Sequence, residues 1–100
     1  MLIARQVFQA KYGRGDDLVA LLQELNARIG EEGGTGPRFR ILTDAAGPFF
    51  TVVTETEVEN FAAWEGSFRE AMNRPWMGEW FGRMMPLVES GRREFFNLME

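Results

Sequence analysis

The chain has 100 residues, 45% of them hydrophobic and 26% charged, with a formal net charge of -4 and neither cysteine nor histidine. Such a composition fits one folded domain with a modest core and excludes disorder and any bilayer-spanning run of roughly 20 apolar residues. The missing residue types exclude disulfides, thiolate nucleophiles, zinc sites built on sulfur and a histidine-ligated haem iron.

Ten of the eleven basic residues are arginines, and they occur singly or in pairs such as Arg38 with Arg40 and Arg92 with Arg93. A nucleic-acid partner needs a clustered positive field, so none is expected. Met1 leads almost directly into a strand-like pattern without a basic leader, and a cytoplasmic location with no membrane association is expected. Without histidine, catalysis must use carboxylates, Tyr12, Asn, Arg or the substrate's own reactivity.

Residues Met1–Ala10 alternate with period two and predict a first strand. Gly13 and Gly15 mark a turn, and Asp16 or Asp17 offers a cap and an acidic first turn to a helix over Asp16–Ile29. Leu18, Leu21, Leu22, Leu25 and Ile29 form its single apolar stripe. Gly30, Gly33, Gly34 and Gly36 stop it, and Pro37 begins an extended segment. The Gly33–Gly36 run lacks the lysine and context of a phosphate loop and reads as a connection.

Asp44–Pro48 reads as the turn of a hairpin between Phe39–Thr43 and Phe49–Thr54. Thr56 and Glu59 have the spacing of a capping box for a helical region over Glu57–Met85. Val58, Phe61, Ala62, Phe68 and Met72 form its apolar side. Pro75 splits the region into two helices, with Asn73 as a nearby cap, and Pro86 bounds the second. Arg92–Met99 returns to a strand pattern.

The order β-α-β-β-α-β predicts an α+β, ferredoxin-like domain over residues 1–100: a four-stranded antiparallel sheet with helices on one face. Arg5, Gln9 and Lys11 share a face of the first strand with Ile3 and Val7, while Leu2, Ala4, Phe8 and Ala10 share the other with Gln6. Both faces are therefore semi-apolar, and a second copy packed face to face supplies the missing cover. A homodimer is expected.

Trp76 and Trp80 with Leu87 form one row, and Met77, Phe81 and Met84 another, a wider apolar surface than one sheet contact needs. Two uses fit it: core plus a subunit interface, or the wall of a pocket for a flat apolar ligand. The pocket reading takes Tyr12, Phe68, Trp76, Trp80, Phe81 and Met84 as ligand-binding candidates, with no cofactor and no metal.

The segments RQVFQAKYGRGDDLVALL (Arg5–Leu22), FAAWE (Phe61–Glu65) and RREFFNL (Arg92–Leu98) together resemble the dimeric α+β barrel superfamily, within it the antibiotic-biosynthesis-monooxygenase type and the NIPSNAP-like proteins. The resemblance implies a two-chain barrel with a cleft between sheet and helices in each subunit. It also implies, for some members, cofactor-free oxidation of phenolic polycyclic aromatics by dioxygen. In those members an Asn and a Trp one helical turn apart line the cleft with an Arg, and Asn60, Trp64 and Arg83 match them here. Asn60 then contacts a substrate oxygen or dioxygen, Trp64 stacks on the rings, and Arg83 stabilises the phenolate. Haem degradation, known in other relatives, is not expected without histidine.

Each of these residues also has a plain structural use. Asn60 suits a helix start, Trp64 a core or interface anchor, and Arg83 lies one turn after Glu79. Three functions are compatible with the sequence: a homodimeric domain binding an apolar or aromatic metabolite, a cofactor-independent monooxygenase, and a structural or interaction module.

Overall fold

A computed structural model describes residues 1–33 and 38–99. Seven elements follow in the order β1 (Leu2–Ala10), α1 (Gly15–Glu31), β2 (Arg40–Thr43), β3 (Thr51–Val58), α2 (Phe61–Met72), α3 (Met77–Met84) and β4 (Val88–Asn97), with a 3-10 turn at Met85–Leu87 before β4. The connection over Gly34–Pro37, where the glycine-rich run and the proline start signal fall, lies outside the described residues.

The strands form one antiparallel sheet in the order β2-β3-β1-β4. This is the expected ferredoxin-like arrangement, but the expected barrel is corrected: the sheet is open. β3 and β1 occupy the interior, so β2 and β4 lie at opposite margins, and among the described residues each keeps one edge without a strand partner. Closure would need those margins to hydrogen-bond, yet three strand spacings of about 4.8 Å separate them.

Even-numbered residues of β1 and β3 face the helices. Leu18, Leu21 and Leu22 of α1 pack with Ala10, Val52, Met77, Trp80 and Leu87 into the buried core. Leu18 is 0% exposed. Burying a leucine contributes about 1.5–3 kcal/mol, which is why the leucine stripe fixes α1 on the sheet. α3 joins this core through Met77 and Trp80, and the Trp80 indole N–H donates to the Leu21 carbonyl at 3.0 Å.

α2 behaves differently, for none of its residues is buried. It is held through rings: Phe61 and Trp64 meet Phe95 of β4 edge-on, with centroids 4.8 and 5.1 Å apart. The expected capping box is replaced because Thr56 remains inside β3, which runs on to Val58. Asn60 takes the cap, its Oδ1 accepting from the Ala63 N–H at 2.8 Å. Asn73 stands at the C-terminal end of α2, while Trp76 occupies the cap position of α3 without a side-chain capping bond.

The hairpin connection spans 44–50. The Asp44 side chain accepts from the Thr51 N–H at 3.1 Å, and Phe50 lies in the left-handed region with φ 59°. Phe50 is tied to β1 by the Ala10 N–H donating to its carbonyl at 3.0 Å. Gly15 lets α1 start beside it, since a Cβ there would stand 3.0 Å from Phe50 Cδ1. At the same end of the sheet, a register shift between Gln9 and Ala10 interrupts the β1–β4 ladder.

Candidate functional site

A cavity of about 330 Å³ opens between the sheet and the helices. It exists because α1 and α3 are drawn onto the Ala10–Val52 end of the sheet while α2 stands over the other end without burying a side chain. Its volume lies at the lower end of the range typical of small-molecule sites.

Trp64, Ser67, Phe68 and Ala71 of α2 form one wall, and Leu22, Leu25 and Ile29 of α1 the opposite one. Met77, Trp80, Phe81 and Met84 of α3 close an end. Trp64 and Phe68 are stacked at 5.0 Å, and Trp80 meets Phe81 edge-on at 5.3 Å. The apolar stripe of α1 thus divides its work: the N-terminal leucines make core and the C-terminal residues line the cavity.

Ser67, Glu70 and Arg74 bring polar groups from the helical side, and the floor carries a row of its own. Gln6 of β1 pairs in register with Thr54 of β3 on one side and Arg93 of β4 on the other, and all three line the cavity. Thr54 is 7% exposed, the buried polar residue beneath an apolar chamber. The Arg93 guanidinium carbon lies 4.7 Å from the Trp64 ring centroid and 4.9 Å from that of Phe68.

The residues singled out in the sequence are distributed unevenly around this chamber. Trp64, Phe68, Trp80, Phe81 and Met84 line it together. Asn60, Arg83, Tyr12 and Trp76 are not among its lining residues. Tyr12 is 80% exposed and stands edge-on to Phe50, and Trp76 donates its indole N–H to Glu32. Arg83 forms a two-point ion pair with Glu24 of α1 at 2.7 and 3.2 Å rather than pairing with Glu79. Two cations do line the chamber, Arg74 and Arg93, and neither was singled out as a site residue; Arg93 is the one on the sheet. The signal for Arg93 was its position two residues before Phe95, on the same side of β4.

Asn60→Ala should cost about 0.5–2 kcal/mol, the usual penalty for losing a helix cap. Urea unfolding measures this loss, and ligand affinity should hardly change because the side chain is engaged with the Ala63 amide.

Two carboxylates around the helices are held below their ordinary range. Glu24 is lowered first by its hydrogen bond from Arg83, and Glu32 first by the hydrogen bond from the Trp76 indole and then by Arg74. The same contact with Glu24 raises Arg83. A carboxylate with a lowered folded pKa contributes stability above its ordinary value of 4.5, and that contribution is lost as pH falls through the lowered value. Glu32→Gln should therefore reduce stability near neutral pH and flatten its decline below 4.5, as read from urea midpoints across the acid range.

Among the described residues no group of three or more acidic side chains gathers to hold a metal ion, and no helix is long and apolar enough to cross a membrane. Neither a protein-family model nor a curated protein matches the sequence. Solved structures do match it. An uncharacterized NIPSNAP domain protein from Burkholderia xenovorans superposes with a TM-score of 0.84 at 16% identity, covering 99% of this chain and 95% of that one. A NIPSNAP family protein from Agrobacterium tumefaciens gives 0.84 at 11% identity, covering 99% and 93%. A protein from Nitrosomonas europaea described as a candidate antibiotic biosynthesis monooxygenase gives 0.73 at 12%, covering both chains completely. The chain has the fold these structures share, in line with the resemblance of its segments.

Proposed function

We propose that the protein is a homodimeric binding domain for a small apolar or aromatic metabolite. The observation that carries this reading is the chamber of about 330 Å³, whose walls are mostly ring, methionine and aliphatic side chains and whose floor carries Gln6, Thr54 and Arg93. Rings offer flat faces and methionine adapts to irregular ligands. Displacing water from such walls supplies the driving force for binding.

The second copy is supported by the helix-free face of the sheet. Phe96 is exposed there opposite Ile3 and Leu42 opposite Val53, on either side of an ion-pair cluster in which Arg5 reaches both Glu55 and Glu94 while Arg40 also reaches Glu55. A second copy would cover these side chains, which a lone sheet leaves in water. Quenching of the three tryptophans by flat aromatic compounds, together with sedimentation at micromolar concentration, tests both parts. Saturable quenching and a two-chain mass are expected. Absence of quenching would remove the ligand, and a one-chain mass would remove the dimer.

A second reading, cofactor-independent monooxygenation, is favoured by the likeness to the Nitrosomonas europaea structure and by the place of Trp64 in the wall. In that chemistry a phenol with hydrogen at the reacting ring carbon consumes one dioxygen and gives the quinone and one water. Dioxygen is the oxidant, and the ring loses its electrons through the phenolate. Oxygen uptake with a dihydroxy-aromatic compound separates this reading from binding alone.

A further inference from the structure

We infer that the ligand of the chamber is an aromatic monocarboxylate whose head group is held by Arg93 together with Gln6 and Thr54. The inference rests on the reading that the chamber binds a small molecule and adds the chemistry of that molecule.

Three observations carry it. Arg5, Arg14, Arg40, Arg69, Arg74, Arg83 and Arg92 each reach a carboxylate within 4.0 Å. Arg93 reaches none among the described residues, although the chain contains 15 acidic residues. Its contacts are instead the faces of Trp64 and Phe68, which steady the guanidinium but leave its N–H donors unused.

Gln6 and Thr54 extend this in a lateral row, and neither side chain has a hydrogen-bond partner among the described residues. Neither has a fully enclosed unsatisfied atom. Their polar atoms therefore remain open to the chamber. A row of unused donors at the base of a greasy cavity is matched by an acceptor-rich head on an apolar body, because such a head fills hydrogen bonds that an alkane or plain arene leaves empty.

The charge of the head follows from the cations present. Arg74 also lines the chamber, but it is committed to Glu32 and Glu70, so Arg93 supplies one unpaired positive charge. That suits a monoanion rather than a phosphate dianion. The planar guanidinium fork fits the two oxygens of a carboxylate, and the stacked Trp64 and Phe68 beside it suit a ring attached to that carboxylate.

The test compares 2-naphthoate with its neutral counterpart 2-naphthylmethanol at neutral pH, by tryptophan quenching and titration calorimetry. The protein should bind the carboxylate about tenfold or more tightly than the alcohol, the usual gain from a hydrogen-bonded charge. Arg93→Met should abolish the preference while changing alcohol affinity by no more than about twofold, since the methionine keeps the packing on the rings. Arg93→Lys, which keeps charge without the fork, should retain part of it, and serves alone if the methionine variant does not fold. Equal binding of the two probes by the unaltered protein would overturn the inference and leave the binding reading standing. So would an equal loss of both probes in a folded Arg93 variant. If neither probe binds, both the binding reading and this inference fall.

Discussion

Trp80→Ala is expected to destabilise the protein by about 3–5 kcal/mol, the range for removing a large aromatic side chain from a core. Urea or thermal unfolding followed by far-ultraviolet dichroism reads the effect. Trp80 is 3% exposed, and its ring joins α3 to the leucines of α1 while its indole N–H is bound to the Leu21 carbonyl. Alanine leaves a void that the sheet cannot fill, because Ala10 and Val52 are held in their ladders. A loss below about 1 kcal/mol would mean that α3 rests on the protein without anchoring it.

Trp64→Ala should produce the opposite division. Ligand affinity is expected to fall roughly 10- to 100-fold, corresponding to the apolar burial of one large side chain, as read by calorimetry with an aromatic probe. Stability should fall much less, since Trp64 is only part-buried and α2 contributes no buried residue. Comparable losses of stability in the Trp64 and Trp80 variants would show that both belong to one core and that the wall of the chamber is structural.

The element order was legible because each segment repeats one period long enough to be read. Leu18 through Ile29 can form an apolar row only on a helix, and Leu2 through Ala10 divide into two faces only as a strand. The start of β4 was not legible. Val88, Glu89, Ser90 and Gly91 show no alternation, and they become strand because β1 offers them its second edge. The capping signal at Thr56 lost to the same kind of force, since pairing with Ala4 keeps that residue in β3.

The site was legible in its walls and not in its floor. Aromatic and methionine rows identify themselves by composition, and Trp64, Phe68, Trp80, Phe81 and Met84, named from the sequence, line the chamber. The Thr54–Gln6–Arg93 row is assembled by strand register across three segments far apart in sequence, and no local pattern announces it. Helical spacing suggested Glu79 as the partner of Arg83, but Glu24 of α1 competes across the packed helices and takes the guanidinium.

The position of β1 also governs how the chain is made. β1 is synthesised before the other described elements yet is an inner strand of the finished sheet, and one of its two neighbours is β4, the last of those elements. Its ladder on that side must wait until residues 88–97 have been synthesised and have emerged, so completion of the sheet is deferred until the last of its strands is available. Until then the edge that β4 will cover is an unpaired template for pairing with another strand.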